Sequence, residues 1–281
     1  MPFRDPLGDR MKQNYEYVTR HYLPRRVPVI IRLDGKAFHT FTKGMKKPFD
    51  EVLTKTMQDT MKYVCERVQG CVLGYTQSDE ITLVLTDYAT IKTDGWFSYN
   101  IQKMASVVAS MATLAFNANF PKNVAEWLAP IVEAAGDDPA KQAECARLRH
   151  IYSTKENKAL FDARVFSVPR DEVCNCLIWR QQDATRNSIE AVGQAHFSQK
   201  DLHEKNQNEI QEMLWQKRRI NWNDFPTVNK RGACCIKYTV EEEIDDPMNP
   251  GTKITVTRRK WKVDTEIPIF TQDRKYIDKL L

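Results

Sequence analysis

Long apolar runs are missing. No stretch of about 18 apolar residues occurs in the 281-residue chain, so no membrane-spanning helix is expected. The opening residues, MPFRDPLGDRMKQNYEY, are polar and carry both charge signs, unlike the apolar centre of a signal peptide. Glycine and proline are scarce, 10 and 13 residues, which excludes collagen-like repeats and low complexity for most of the chain. Internal repeats and heptad runs are also lacking. The seven cysteines lie at positions 65, 71, 145, 174, 176, 234 and 235, an odd number. Cys174-Asn-Cys176 and Cys234-Cys235 lack the CxxC pairing of a zinc site. They read as reduced thiols of an intracellular protein, expected in the cytoplasm, and no structural metal is assigned. The GxxxxGK[ST] phosphate loop is absent too.

What is present is globular composition, 42% hydrophobic and 28% charged, at a length for one large domain or two small ones. The net charge of +5 alone describes only a solvated surface. Its distribution says more. Basic clusters stand at Arg25-Arg26, Lys43–Lys47, Lys217–Arg219, Lys230-Arg231 and Arg258–Lys260, several beside Trp215, Trp222 and Trp261. Basic groups interleaved with aromatics suit a nucleic-acid surface, although tryptophans at these spacings are more often core.

VPVIIRLDG (27–35) predicts a strand, apolar on both faces and ended by a turn. A basic loop, FTKGMKKP, follows, and Asp50 makes a helix cap. Beyond it Leu53, Met57, Met61, Val64 or Cys65, and Val68 mark one face of a helix about five turns long. Residues 71–88 predict a β-hairpin with its tip at Gln77–Glu80. An apolar helix is expected from Phe97 to Ala115, a mixed helical insertion over about 121–160, and a strand over 161–168. The order β-α-β-β-α-β is that of a ferredoxin-like antiparallel sheet with helices on one face. Helices over 176–195 and 200–220, and strands over 233–243 and 253–263 flanking the turn DDPMNPG, complete an α+β fold. The expected division is a catalytic core over 1–170 and a C-terminal extension over 171–281 packed on it.

This topology brings the end of the first strand to the hairpin tip, so Asp34, Asp79 and Glu80 converge. One such carboxylate is usually a cap or a turn former. Several together need a neutralising cation. Magnesium takes one or two carboxylates with phosphates, and two such ions roughly 3.5–4 Å apart can clamp a phosphoryl transfer. Asp34 and Asp79 could bridge them, with the Gly35 carbonyl as a further oxygen. The amides of Lys36, Ala37, Phe38 and His39 could face triphosphate oxygens, with Lys43, Lys46 and Lys47 nearby. His150, His196 and His203 have no ligand spacing.

RLDGKAFHTF (32–41), KPFD (47–50) and GYTQSDE (74–80), then FDARVFSVP (161–169) and WRQQDATRNSI (179–189), resemble the ordered motifs of the histidine-tRNA guanylyltransferase superfamily. The resemblance spans about residues 25–235. It implies a palm-like core and nucleotide addition to the 5′ end of RNA in the 3′-to-5′ direction, using two Mg²⁺ ions. It implies Asp34, Gly35 and Asp79 as metal ligands, with Glu80 supporting them. Residues 34–39, Lys47, Asp50, Ser78, Asp79 and Lys103 would meet nucleotide. Arg164, Arg186, Asn187, Lys230 and Arg231 would meet RNA. ATP or GTP would activate the end or be added to it, and a homotetramer would hold the tRNA.

In one place the sequence departs from the guanylyltransferases. Their HINN-like motif is replaced by Thr185-Arg186-Asn187-Ser188. DATRNSI is similar to the guanylyltransferase-like branch, which implies template-directed repair of tRNA 5′ ends. Non-templated guanylate addition to histidine tRNA is the alternative. A palm-fold nucleotidyl cyclase fits less well, since it needs no basic C-terminal half. A non-catalytic RNA-binding protein would have no use for clustered carboxylates.

Overall fold

The computed structural model describes residues 5–246, 248–249 and 251–281. Its helices and strands run in order as α1 (Pro6–Met11), β1 (Val29–Gly35), α2 (Phe38–Phe41), α3 (Glu51–Arg67), β2 (Cys71–Gln77), β3 (Glu80–Leu85) and α4 (Ile101–Ala135). There follow α5 (Pro139–Ser153), β4 (Phe161–Ser167), α6 (Arg170–His196), α7 (Gln199–Leu202), α8 (Gln207–Arg218) and α9 (Thr227–Arg231). The chain closes with β5 (Ala233–Asp245), β6 (Lys253–Asp264) and α10 (Lys275–Asp278).

The strands form one six-stranded antiparallel sheet in the order β4-β1-β3-β2-β5-β6. The first four have the expected ferredoxin-like order. β5 pairs with β2 from Leu73↔Ile236 to Thr76↔Ala233, so the C-terminal hairpin widens the same sheet. Val29, Ile30, Ile31 and Leu33 are all fully buried because both faces of β1 are covered. Ile31 and Leu33 pack with Met57, Met61, Met104 and Phe116 of α3 and α4. Ile30 faces the other way, toward Tyr75, Val84, Val173 and Leu177. That second face is covered by α6 and by the tail carrying Ile267, Phe270 and Ile277.

Helix α3 starts where expected, with the Asp50 carboxylate accepting from the Leu53 amide at 2.9 Å. Helix α4 differs from expectation. It continues through Pro121 and Pro130 as one 35-residue helix. Each proline removes a helical hydrogen bond. The buried face nevertheless repeats across them through Ala112, Phe116, Phe120, Val124 and Leu128. Packing, more than local propensity, decides where a helix ends. In the turn between β5 and β6, Asn249 donates to Asp246, while Pro247 and Pro250 of the expected DDPMNPG turn lie outside the described residues. All seven cysteines are free, and among the described residues no helix is long and apolar enough to cross a membrane.

The start of β5 depends on one glycine. Gly232 has φ +82°, and a Cβ there would lie 2.3 Å from the Thr76 carbonyl oxygen. Beside it the Tyr75 hydroxyl donates to the Arg231 carbonyl at 2.8 Å. Gly232→Ala is expected to destabilise the fold by about 1 kcal/mol or more, since both the backbone and the neighbour resist a side chain. Urea unfolding should show a lowered midpoint at unchanged slope.

Candidate active site

Two turns with left-handed residues build the site. Ser78 (φ +49°) turns the β2–β3 hairpin, and Ala37 (φ +56°) turns the chain after β1. Such conformations cost free energy for a residue with a Cβ and cluster where geometry is functional. The Gly35 amide donates to the Asp79 carbonyl at 3.1 Å, which ties the strand end to the hairpin tip. A Cβ at Gly35 would lie 2.4 Å from the Phe38 ring. Asp34 is the register partner of Glu80 on one side and of Asp162 on the other, so all three lie on the sheet face under α6.

Asp34 is partly exposed, and Arg164 Nη1 stands 3.6 Å from it. Arg164 also stands 3.6 Å from Asp162. The Asp79 carboxylate accepts from the Ser78 hydroxyl at 2.9 Å. Burial pushes the Asp79 carboxyl above its ordinary value. The Ser78 hydroxyl and its own amide pull it down, and the Asp34 charge pushes it up again.

Glu80 has a different environment. It is buried, and it accepts from Arg180 Nη1 at 2.8 Å, with Arg32 Nε at 3.9 Å. Burial raises its pKa while Arg180 and then Arg32 lower it. Arg180 also meets Asp183 at 3.2 Å, and Asp183 meets Arg186 at 2.5 Å. An ion chain therefore runs from the hairpin tip along α6. Glu80 supports the site by fixing α6 to the sheet.

The loop after β1 is used in part. The Lys36 amide donates to the Leu160 carbonyl at 2.8 Å and so is not free for phosphate. The amides of Ala37, Phe38 and His39 make no backbone hydrogen bond among the described residues. Phe38 is buried against Phe41, Phe116 and Phe161, while His39 and Lys47 are exposed. Asp50, expected near the triphosphate, is engaged within the chain. Its oxygens accept from the Leu53 amide, from the Lys46 amide at 3.0 Å and from the Tyr152 hydroxyl.

Arg186 and Asn187 lie on α6. Asn187 lines a cavity of about 160 Å³ with Phe49, Thr76, Ser78, Ser188 and Asn229. Lys230 and Arg231 are tied down, the first to the Asn223 carbonyl and the second to the Ile267 carbonyl at 3.2 Å. Lys103 is not brought to the carboxylates within the chain. It sits over the Phe97 ring at 4.6 Å in the first turn of α4. The part of α4 beside the Asp34 end is Thr113, whose hydroxyl accepts from the Phe161 amide at 3.1 Å, about 15 Å further along the helix. The motif WRQQDATRNSI contains the two residues that sequence reasoning left out, Trp179 and Arg180. A basic residue at a position facing the sheet was the available signal, since a buried arginine requires a carboxylate.

Among the described residues no group of three or more His, Cys, Asp or Glu side chains is arranged to hold an ion. Asp34, Asp79 and the Gly35 carbonyl are a smaller set, two carboxylates and one carbonyl. Asp79 has no ion-pair partner among the described residues, and burial disfavours its charged form. Such a partial shell fits magnesium, which completes its octahedron with water and substrate phosphates.

A palm-like sheet carrying two carboxylates at the end of its first strand and at the adjoining hairpin tip suits phosphoryl transfer, and the family matches below make the chain a nucleotidyltransferase. A family model described as tRNAHis guanylyltransferase matches residues 8–169. The chain belongs to that family. A bacterial tRNA(His) guanylyltransferase (Thg1)-like protein in complex with ATP is similar over 98% of both chains, with a TM-score of 0.76 and 40% identity. A GTP complex of such a protein gives a TM-score of 0.71 at 38% identity, over 98% of this chain and 99% of that one. The tRNA(His) guanylyltransferase of Schizosaccharomyces pombe is 26% identical over 83% of each chain.

The ion pair under the hairpin gives a test. Arg180→Met leaves Glu80 buried without its closest cation and should lower stability by about 3–5 kcal/mol. Adding Glu80→Gln removes the stranded charge, so the double variant should recover most of that loss. Denaturation midpoints for the four proteins measure the coupling, and simple additivity would mean that the pair is not coupled.

Proposed function

We propose that this enzyme adds nucleotides to the 5′ end of tRNA in the 3′-to-5′ direction, directed by the opposing strand, and so repairs truncated 5′ ends. The observation that carries the reading is the Asp34–Asp79 pair held at the end of the palm-like sheet beneath α6, the helix that bears Arg186 and Asn187. The similarity to proteins bound to ATP and GTP supports nucleotides as the second substrate.

In this reading the 5′-monophosphate first attacks the α-phosphorus of ATP and displaces pyrophosphate, leaving an adenylylated end, or the end already bears a triphosphate. The 3′-hydroxyl of the incoming nucleotide attacks the α-phosphorus of that end. A new P–O bond forms, the bond to AMP or pyrophosphate breaks, and the hydroxyl proton passes to solvent. Asp34, Asp79 and the Gly35 carbonyl would hold two Mg²⁺ ions, which supply charge stabilisation of the attacking and leaving oxygens. The free amides of Ala37, Phe38 and His39 meet triphosphate oxygens, and Lys47 adds positive charge. Arg164 orients the phosphate beside Asp34. Arg186 and Asn187 contact the RNA next to the cavity that Asn187 borders, with Lys230 and Arg231 shaping the adjoining surface. The acting species is a homotetramer.

Asp34→Ala and Asp79→Ala should each abolish nucleotide transfer, because each removes a ligand whose contribution to transition-state charge is several kcal/mol. Melting curves of both variants should remain cooperative. Near-normal turnover by either variant with Mg²⁺ present contradicts the assignment.

Template direction has its own measurement. On a tRNA lacking its first nucleotide, changing the opposing base from C to A should switch incorporation from G to U. Pairing would hold the nucleotide's 3′-hydroxyl in line, an orientation effect on rate. Equal addition of G opposite both bases, with preference for intact histidine tRNA, would replace repair by guanylate addition.

A further inference from the structure

Helix α6 buries Val173, Cys174, Leu177 and Arg180 against the sheet, while Trp179 remains 47% exposed. Its indole is nevertheless held in place. Arg180 Cζ lies 3.8 Å from the ring centroid and Arg32 Cζ lies 5.4 Å from it. Arg180 is itself 6% exposed and is fixed by Glu80 and Asp183. The ring is therefore oriented by a rigid ionic network, and much of its area is left to solvent. Trp215 is equally exposed, but its guanidinium neighbour, Arg219 at 5.7 Å, belongs to its own helix end.

The position of Trp179 matters as much as its exposure. Arg32 precedes Asp34 by two strand residues, so the two share a face about 7 Å apart. Arg32 is the register partner of Arg164 on β4, and Arg164 reaches Asp34. β4 is the outermost strand on that side, so no further strand covers this strip. An exposed indole on α6 thus stands over Arg32 of β1, whose neighbours on the same face are the half-exposed Arg164 of β4 and the Asp34 carboxylate. Flat aromatics beside cations are what hold unpaired bases, because every base has a π-face and every nucleotide a phosphate.

We propose that the open area of Trp179 is a stacking platform for a nucleobase, belonging either to the RNA end or to the nucleotide whose phosphate is handled at Asp34 and Asp79. This rests on the nucleotidyl-transfer reading above. The cavity bordered by Asn187 and Ser78 opens elsewhere on α6, so the platform and the cavity are separate places for two bases.

The test uses two fluorescent probes with the full chain. One is a tRNA acceptor stem with 2-aminopurine at its unpaired end. The other is 2-aminopurine riboside triphosphate. With the parent protein, at least one probe should be quenched on binding. Trp179→Leu should abolish that quenching and weaken binding of the same probe about tenfold, the effect expected for losing one aromatic stack. Trp179→Phe keeps a ring and should restore most of the affinity. The probe that responds identifies the source of the base. Unchanged binding and quenching of both probes by Trp179→Leu overturns the platform, as does equal loss with Leu and Phe. A change in oligomeric mass with unchanged probe binding also overturns it, since the ring would then be covered by a second copy of the chain. If the parent protein transfers nucleotides and Trp179→Leu behaves like it, the platform alone fails. If the parent neither binds the probes nor transfers nucleotides, the functional reading fails with it.

Discussion

A carboxylate removed from water must be met by opposite charge, and Glu80 is met twice, by Arg180 from α6 and by Arg32 from β1. Three elements are fixed by that contact. The hairpin tip cannot drift from the first strand, because Glu80 is the register partner of Asp34. Helix α6 cannot slide along the sheet, because Arg180 is buried in it. The direction of α6 then places Asp183, Arg186 and Asn187 beyond the hairpin. Charge fixes the relative position of these parts, while the apolar clusters on both sheet faces supply the bulk of their adhesion.

Within that frame the two carboxylates proposed as metal ligands are the less compensated ones. Glu80 has strong partners, Asp34 has one at 3.6 Å, and Asp79 has a hydroxyl. The gradient separates the anchoring carboxylate from the two at the proposed site. Glu80 meets two guanidinium groups, and the carboxylates at the turn are left short of charge. The two left-handed residues, Ala37 and Ser78, sit at the same turns. Strain and unpaired charge therefore coincide, and the remainder of the sheet carries their cost.

Much of this was legible in the sequence. Period-two and apolar runs located the strands, Asp50 marked the start of α3, and the βαββαβ order brought Asp34 to Asp79. What stayed hidden depended on partners distant in the chain. Pro121 and Pro130 suggested an interrupted helix, but a buried face through Phe120 and Val124 carried α4 past them. Arginine is usually exposed, so only its place on the sheet-facing side of α6 pointed to a buried Arg180. Asp50 was readable as a cap, but its further bonds from the Lys46 amide and the Tyr152 hydroxyl were not. Lys103 lies over Phe97 in the first turn of α4, a placement set by where the 35-residue helix begins and not readable from the motif.

The sheet is assembled from strands made at very different times. β2 pairs with β5, whose residues lie about 160 positions later. The face bearing Ile30, Leu73, Tyr75 and Val84 waits for α6 and for Phe270 and Ile277 near the end of the chain. During synthesis, the first four strands can therefore close into an order that is correct and still incomplete. It then has an open hydrogen-bonding edge at β2 and a greasy face with no lid. Such an intermediate is prone to pairing with its neighbours, and its pairings of high sequence separation are slow to form. Covering that edge and that face is thus a second task of the C-terminal segment, beside widening the sheet.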